Sequence, residues 1–494
     1  MAFTKKVECH FIIYYDLMKI KYFIILVLIF FLGINAELAL AQKNSPNILF
    51  IYMDDLGWTD VASGSKFYET PNIDKLASEG IRFTQAYSCG PNCAPSRGSL
   101  MTGLYTPRHG IYTVGTAERG DSSLRKLIPV KNNTVLASSF VTIAEELKNA
   151  GYSTGLIGKW QLGEKKHQTD PKSQGFDFVI GGAGGTSSYF YPYAMKKDKQ
   201  PFEGIDSGKE GEYLTDRLTD EAIKFINSNK EKPFFLYLSY FAVHTPIQAK
   251  DSLIAKYKAK QGAEYHNNPT YAAMLESADQ GVGRLLENLK KLNLEKNTLV
   301  IFYSDNGGYG GATYQYPLKG SKGMLYEGGI RVPLFVRWPG KIKSGSQSEI
   351  PVIGIDFYST LLDVANINKP LTTSKLDGQS FAPILFNKPY KTRDAIYWHF
   401  PAYLEGFSAD KRNKDPFRSR PVSAVRSGDY KLLEFYEDKR IELYNIKEDI
   451  GETNNLAQKN PQKAQELYEK LDNWRKQVKA PIPASANPWY VNHE

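Results

Sequence analysis

Two runs of almost unbroken apolar residues, 46–53 and 298–303, constrain this chain more than any other feature. Both are too short for an ordinary helix and neither has a polar face. Each therefore reads as a strand buried on both sides, the pattern of a parallel sheet covered by helices. The first stops at Asp54-Asp55, and the second leads through Ser304 to Asp305-Asn306. Carboxylates just past the carboxyl ends of buried strands lie where open α/β sheets bind ligands.

Strand and helix signals alternate along most of the chain. Thr70-Pro71 starts a helix that Gly80 closes, and residues 81–87 read as the next strand. Thr142 and Glu145 have the spacing of a capping box before the strand 153–157, and residues 233–241 form a further strand leading to His244. The clearest helix places Tyr271, Met274, Leu275, Ala278, Val282, Leu285, Leu286 and Leu289 on one stripe. This alternation predicts an α/β fold with a large, mainly parallel sheet sandwiched by helices. After about residue 385 the style changes to the short strand-like runs 395–400, 422–426, 430–436 and 441–446, followed by a charged helix over 461–478. A smaller C-terminal antiparallel sheet plus helix is expected there. With 494 residues the chain exceeds the roughly 250–300 at which single cores stop growing. We expect a main domain over 42–385 and a C-terminal subdomain over 386–494.

Residues 1–41 read as a leader. Lys19 and Lys21 precede the apolar run 22–32, and Ala39-Leu40-Ala41 supplies the small-residue ending of a signal peptide. Residues 1–17 are atypical in front of it, and Met18 offers a more usual start. The run falls short of the roughly 20 residues a membrane helix needs, so stable membrane insertion is not expected. A periplasmic or secreted protein is. The net charge of +9 comes without any basic block or arm, which argues against nucleic acid as a partner and suits an anionic substrate. The three cysteines, at 9, 89 and 93, are too few for a disulfide scaffold.

Asp54, Asp55, Asp305 and Asn306 offer three carboxylates and an amide oxygen, a donor set for a hard cation, with Ca2+ the first choice. Lys159 and His244 also follow strands. Cys93 precedes Pro95, a residue suited to a first helical turn, so its side chain belongs at a helix N-terminus, where unpaired N–H groups favour an anion.

The run Cys93-Ala94-Pro95-Ser96-Arg97, continuing to Leu100, Thr102 and Gly103, resembles the C-x-P-S-R-x-x-L-x-T-G element of the formylglycine-dependent sulfatases. Residues 47–58, Gly158-Lys159-Trp160, His244-Thr245-Pro246, 304–308 and 320–333 are also similar to that family and stand in its order. The resemblance implies an alkaline phosphatase-like fold and conversion of Cys93 to formylglycine (3-oxoalanine) by a formylglycine-generating or anaerobic sulfatase-maturating enzyme. A hydroxyl of the hydrated aldehyde would attack sulfur, and the second would expel inorganic sulfate. It further implies a calcium shell of Asp54, Asp55, Asp305 and Asn306 completed by the modified Cys93. Arg97 would hold that region, Lys159 and Lys322 would neutralise sulfate oxygens, and His244 would protonate the leaving group. Lys319 is a close rival to Lys322, and His109 is expected to be structural.

In one respect the chain departs from this pattern. Where the family commonly carries a histidine after Gly158-Lys159-Trp160, this sequence has Gln161, which can hydrogen-bond but cannot act as a base at neutral pH. Cys89 is expected to be a buried free thiol. For substrate contacts, residues 181–193 with their tyrosines, Trp398 to Tyr403, Gln161, His399, Arg418 and Arg420 are the candidates, toward a sulfated oligosaccharide or polysaccharide of the galactose or N-acetylgalactosamine type. A phosphate or phosphonate ester hydrolase of the same superfamily and a catalytically impaired glycan-binding protein are the rival readings.

Overall fold

The computed structural model of the chain describes residues 18–19, 21–22, 45–61, 64–193, 202–205, 207–406 and 415–492. The leader expected over 1–41 lies outside these residues, apart from four of its positions. Among the described residues no helix is long and apolar enough to cross a membrane.

Eight strands form the main sheet: β1 (Asn47–Met53), β2 (Ile81–Phe83), β3 (Ser153–Gly158), β4 (Phe178–Gly181), β5 (Phe234–Ser239), β6 (Thr298–Ser304), β7 (Leu334–Arg337) and β8 (Ser346–Ser348). Their order is β4-β3-β5-β1-β6-β7-β2-β8. The five strands from β4 to β6 run parallel, β7 is antiparallel to both of its neighbours, and β2 pairs with β8 in parallel. The sheet is thus mainly parallel, as expected, with one reversed strand that the sequence reading did not assign.

The two apolar runs occupy adjacent central positions, β1 beside β6, in register from Asn47 opposite Thr298 to Met53 opposite Ser304. Side chains alternate across a strand, so β1 feeds two cores. Leu49, Ile51 and Met53 enter one shared with α1 (Pro71–Ser78) and α5 (Pro269–Lys291). Ile48, Phe50 and Tyr52 enter the other, with α2 (Cys93–Thr102), α3 (Ile143–Asn149) and α6 (Asp356–Val364). On the first face also lies α4 (Leu214–Ser228), packed on α5. Each fully buried aliphatic side chain contributes about 1.5–3 kcal/mol, so both faces are strongly held.

Local signals act as their chemistry requires. Asn268 caps α5 by accepting from the N–H groups of Thr270 and Tyr271, both at 3.1 Å, with Pro269 behind it. At α3 the capping box is formed, Thr142 Oγ1 accepting from Glu145 N at 3.2 Å and Glu145 Oε2 from Thr142 N at 2.8 Å, worth about 1 kcal/mol. Two strand readings need correction. The run 81–87 is broken after Phe83, and Ala86–Tyr87 leaves the sheet to pair with Val352–Ile353, which carries Tyr87 toward the C-terminal layer. The run 233–241 is regular only to Ser239, after which the backbone turns to build the site.

The C-terminal layer is a four-stranded antiparallel sheet, β9 (Ile396–Phe400), β10 (Val422–Ser427), β11 (Tyr430–Phe435) and β12 (Ile441–Asn445), in that order. Against it packs α7 (Pro461–Val478), through Leu467, Leu471, Trp474 and Val478. This core is continuous with Tyr87, Cys89, Leu325 and Ile330 of the preceding chain. The two layers share apolar contacts and are not joined by a bare linker.

Candidate active site

The acidic residues of the site, with Lys159 and His244, follow the carboxyl ends of the central parallel strands. After β1 the chain turns sharply at Asp55, whose φ of 64° is left-handed, so Asp54 and Asp55 leave the strand together, both fully buried. After β6, Asp305 Oδ1 accepts from Asp55 N at 3.1 Å, and Asn306 Nδ2 donates to Asp55 Oδ1 at 2.9 Å. After β3, Lys159 reaches Asp54 Oδ2 at 2.6 Å. Beyond β5, His244 places Nε2 3.7 Å from Asp55 Oδ2. Residues scattered over 250 positions therefore converge because the strands that carry them are neighbours.

Cys93 opens α2, with Pro95 in its first turn. The residue before it, Asn92, makes no side-chain cap, so the helix terminus keeps N–H groups that Asn92 does not satisfy. Cys93 Sγ lies 3.4 Å from Asp54 Oδ1 and 3.9 Å from Asp55 Oδ1. Burial and the nearby Asp305 charge push its thiol pKa far up, so an unmodified Cys93 would be a poor nucleophile. One turn along, Arg97 holds Asp305 Oδ2 through Nε at 3.1 Å and Nη2 at 2.7 Å, donates to Ser239 Oγ, and lies over the Tyr52 ring. His109 braces the same helix. Its Nδ1 accepts from Ile111 N at 3.2 Å, which leaves Nε2–H to donate to Ser99 Oγ at 3.0 Å.

Of the two competing lysines, the structure brings Lys322 to Asp55, at 2.7 Å. Lys319 turns away, over the Tyr326 ring and to the Tyr444 hydroxyl at 3.2 Å. Burial works against the charges of Asp55, Lys159 and Lys322, yet attraction to the opposite charge wins, Asp54 acting on Lys159 and Asp55 pairing with Lys322. Lys322 and its neighbours hold the Asp55 carboxyl below its ordinary range, and both ammonium pKa values are raised. Asp305 moves the other way: burial and the adjacent Asp54 raise it. His244 is held down to about 3 by burial and by the Lys322 charge. Its Nδ1 sits 2.7 Å from the Thr245 carbonyl, which can only accept, so Nδ1 carries the proton of the neutral ring and Nε2 is bare.

These residues fit a hard cation. Asp54, Asp55, Cys93 and His244 have ligand atoms all within 4.8 Å of one another, and Asp305 and Asn306 adjoin them. Asn306 Oδ1 is buried without a hydrogen-bond partner, an orphaned acceptor beside a carboxylate cluster, which a cation would satisfy. Most of the donors are oxygens, the ligand type that suits a hard cation.

A cleft of about 1180 Å³ opens over this centre. Cys93, Asp55, His244 and Lys322 form its floor, and Gln161 and Arg418 lie in its walls. Gln161 has a left-handed φ of 65° and a buried Oε1 without a partner. Other substrate candidates are not brought here. His399 is buried in the C-terminal layer between Ser423 Oγ and the Pro481 carbonyl, and Arg420 pairs with Asp415 and Glu437. Trp398, Phe400 and Tyr403 are fully packed in the interior, and Tyr189 and Tyr193 belong to the main core. Their apolar surface is worth more inside than in a solvated wall. Gly181 to Gly185 do line the cleft, without those aromatics. The sequence reading missed Tyr309 and the Arg119–Glu405 pair, both in the cleft wall. Tyr309 carried a signal in its place just after Asp305-Asn306-Gly307-Gly308; Arg119 carried none. Cys89 is a buried free thiol in the core shared with the C-terminal sheet.

Comparison with known proteins agrees with this geometry. Residues 46–367 match the family model described as Sulfatase, and residues 320–479 match one described as N-sulphoglucosamine sulphohydrolase, C-terminal. The chain is 35% identical to a protein named Sulfatase from Formosa agariphila, covering 90% of this chain and 92% of that one. It is 32% identical to the N-acetylgalactosamine-6-sulfatase of Mus musculus, covering 73% and 70%. Among solved structures it resembles Ps i-CgsB in complex with k-i-k-neocarrahexaose, with a TM-score of 0.73, 32% identity, and coverage of 89% and 94%.

Proposed function

Since the chain belongs to the sulfatase family and is a sulfuric ester hydrolase, we propose that it removes sulfate from a sulfated carbohydrate, of the galactose or N-acetylgalactosamine type, outside the cytoplasm. The observation that carries this reading is the cleft floor: a cysteine at a helix N-terminus with Asp55, His244 and Lys322 lining one cavity, and Lys159 buried behind them on Asp54. The sugar type is supported by relatives whose names and titles carry N-acetylgalactosamine-6-sulfatase activity and a neocarrahexaose ligand.

Asp54, Asp55, Asp305 and Asn306 would hold Ca2+, which when bound supplies Lewis acidity at the reacting oxygen. Cys93, oxidised to formylglycine by a maturating enzyme, would supply a hydrated aldehyde as nucleophile in place of a thiol that burial keeps protonated. The remaining work falls to residues whose positions are fixed. Lys159 and Lys322 stand at the edge of the carboxylate cluster, where they meet the oxygens of an incoming sulfate and offset their charge. Arg97 fixes Asp305 and the first turn of α2. His244 presents Nε2 to the cleft, and a sulfate beside it supplies the counter-charge that raises the imidazole toward a protonated, donating form. Gln161, also in the cleft lining, offers a hydrogen bond through its unpartnered Oε1.

Mass spectrometry of the Cys93 peptide, with assay of sulfate released from sulfated galactose and N-acetylgalactosamine oligosaccharides, tests the proposal. An aldehyde at 93 and free sulfate are expected. A thiol throughout, in protein from its native host, would overturn it.

A further inference from the structure

The cleft has a cationic wall that runs from beside Lys322 to the loop carrying Arg119. It is built by the paired strands Leu404–Glu405 and Phe417–Ser419, which lie against the loop that carries Arg119. Phe417 packs on Gly120, where an added Cβ would come within 2.5 Å of its ring, and Tyr403 bridges Glu118. Arg125 ties the same loop from behind, its Nη1 donating to the Gly120 carbonyl at 2.8 Å and the Glu118 carbonyl at 3.1 Å. Arg119 is held by both oxygens of Glu405, with Nε to Oε2 at 2.8 Å. A planar, pre-positioned guanidinium on a braced loop loses little entropy when it meets a ligand.

Arg418 completes this wall and points back toward the centre. A side chain at Gly323, which has a left-handed φ of 97°, would meet Arg418 Nε at 2.5 Å, so the guanidinium stem lies directly over the residue that follows Lys322. Lys322 and Arg418 therefore both line the cleft, from adjoining positions. Burial first, and then the neighbouring charge of Arg119, lower the Arg418 pKa to about 10, so the surroundings disfavour its charge and an anion would relieve that. The other cations of the lining are of another kind: Lys165 and Lys166 are exposed and pair with Glu203 and Glu164.

From this arrangement we propose that Arg418 and Arg119 form a subsite for a second oxyanion on the substrate, a sulfate ester or a carboxylate on the same or the adjacent sugar. The enzyme would then prefer doubly anionic units to singly sulfated ones. This rests on reading the cleft as a carbohydrate sulfate site. A charge-assisted, bidentate contact of this type is worth roughly tenfold to a hundredfold in affinity.

The test measures calorimetric binding of three disaccharides to the non-turnover variant C93A: one with a single sulfate, one with two sulfates, and one with a sulfate and a carboxylate. At least one doubly anionic ligand should bind tenfold or more tighter than the first. In C93A/R418Q that advantage should shrink to within about twofold, with partial retention in C93A/R418K, whose charge remains without the planar fork. An advantage limited to one of the two anions identifies the group. No advantage in C93A, or an advantage that survives in a folded C93A/R418Q, overturns the subsite. Sulfate release by the unmutated enzyme reports separately on the catalytic reading, so the two failures are distinguishable.

Discussion

Lys431 of the C-terminal sheet and Glu327, five residues after Lys322, form an ion pair of 3.0 Å in which neither side chain is exposed. Glu452 closes the arrangement, 2.9 Å from the same ammonium, and accepts from the Glu327 backbone N–H at 2.7 Å. The segment that delivers Lys322 to the cleft is thus anchored in the C-terminal layer. Burial opposes both carboxylates. Lys431 and Arg331 hold Glu327 down to about 2, whereas burial pushes Glu452 up to about 7.

Breaking this anchor should be costly. K431M leaves buried carboxylates without their cation, and a loss of roughly 3–5 kcal/mol is expected, measured as a fall in the urea midpoint. E452Q should cost far less near neutral pH, because that carboxyl is already inclined to hold a proton. Equal losses in the two variants would contradict the account.

Calcium should stabilise the protein. At a hundred times its Kd a ligand specific to the folded state adds about 2.7 kcal/mol, so Tm should rise with Ca2+ and fall on chelation. N306A and D54N should lose that response, whereas H109Q should keep it. A Tm indifferent to Ca2+ in the unmutated protein would remove calcium from the site.

Acid should destabilise the fold through His109 and His399. Both titrate near 6.5 when unfolded, and burial lowers each to about 3 in the folded chain. Between those values the unfolded chain binds more protons. The stability contributed is therefore complete above about pH 6.5 and is lost as pH falls toward 3, at about 1.4 kcal/mol per pH unit for each ring. Replacing either residue with Gln should flatten the slope of stability against pH in that window.

Gln161 offers a gain-of-function experiment. Its left-handed backbone tolerates His, which is enriched there among non-glycine residues. Q161H should speed sulfate release and give it a dependence on a group titrating near 6.5, since a base contributes on the order of 100-fold or more where one is needed. Unchanged kcat and pH profile would show that glutamine and water already suffice.

The central architecture was legible because its signals are local. Apolar runs at 46–53 and 298–303, the Thr142 capping box and the stripe from Tyr271 to Leu289 each carry their own periodicity, and the structure uses them as read. The convergence of Asp54, Asp305, Lys159 and His244 followed from strand ends alone. The fate of aromatic residues was less legible, because Tyr189 or Trp398 in a loop or short strand has the same composition whether it faces a sugar or a core. Only packing decides, and here it took both inward. Arg119 was invisible for a related reason: its role depends on Glu405, almost three hundred residues away.

The two ends of the cleft are made by different parts of the chain. The reacting end is set by the carboxyl ends of parallel strands, whose spacing is locked by backbone hydrogen bonding; the other wall is a short pair of antiparallel strands laid on a loop. Substitutions in those two strands can therefore alter which molecule is accepted without disturbing how its ester is cleaved. A descendant of this chain could change its diet by editing Arg418 and its surroundings while inheriting its chemistry intact.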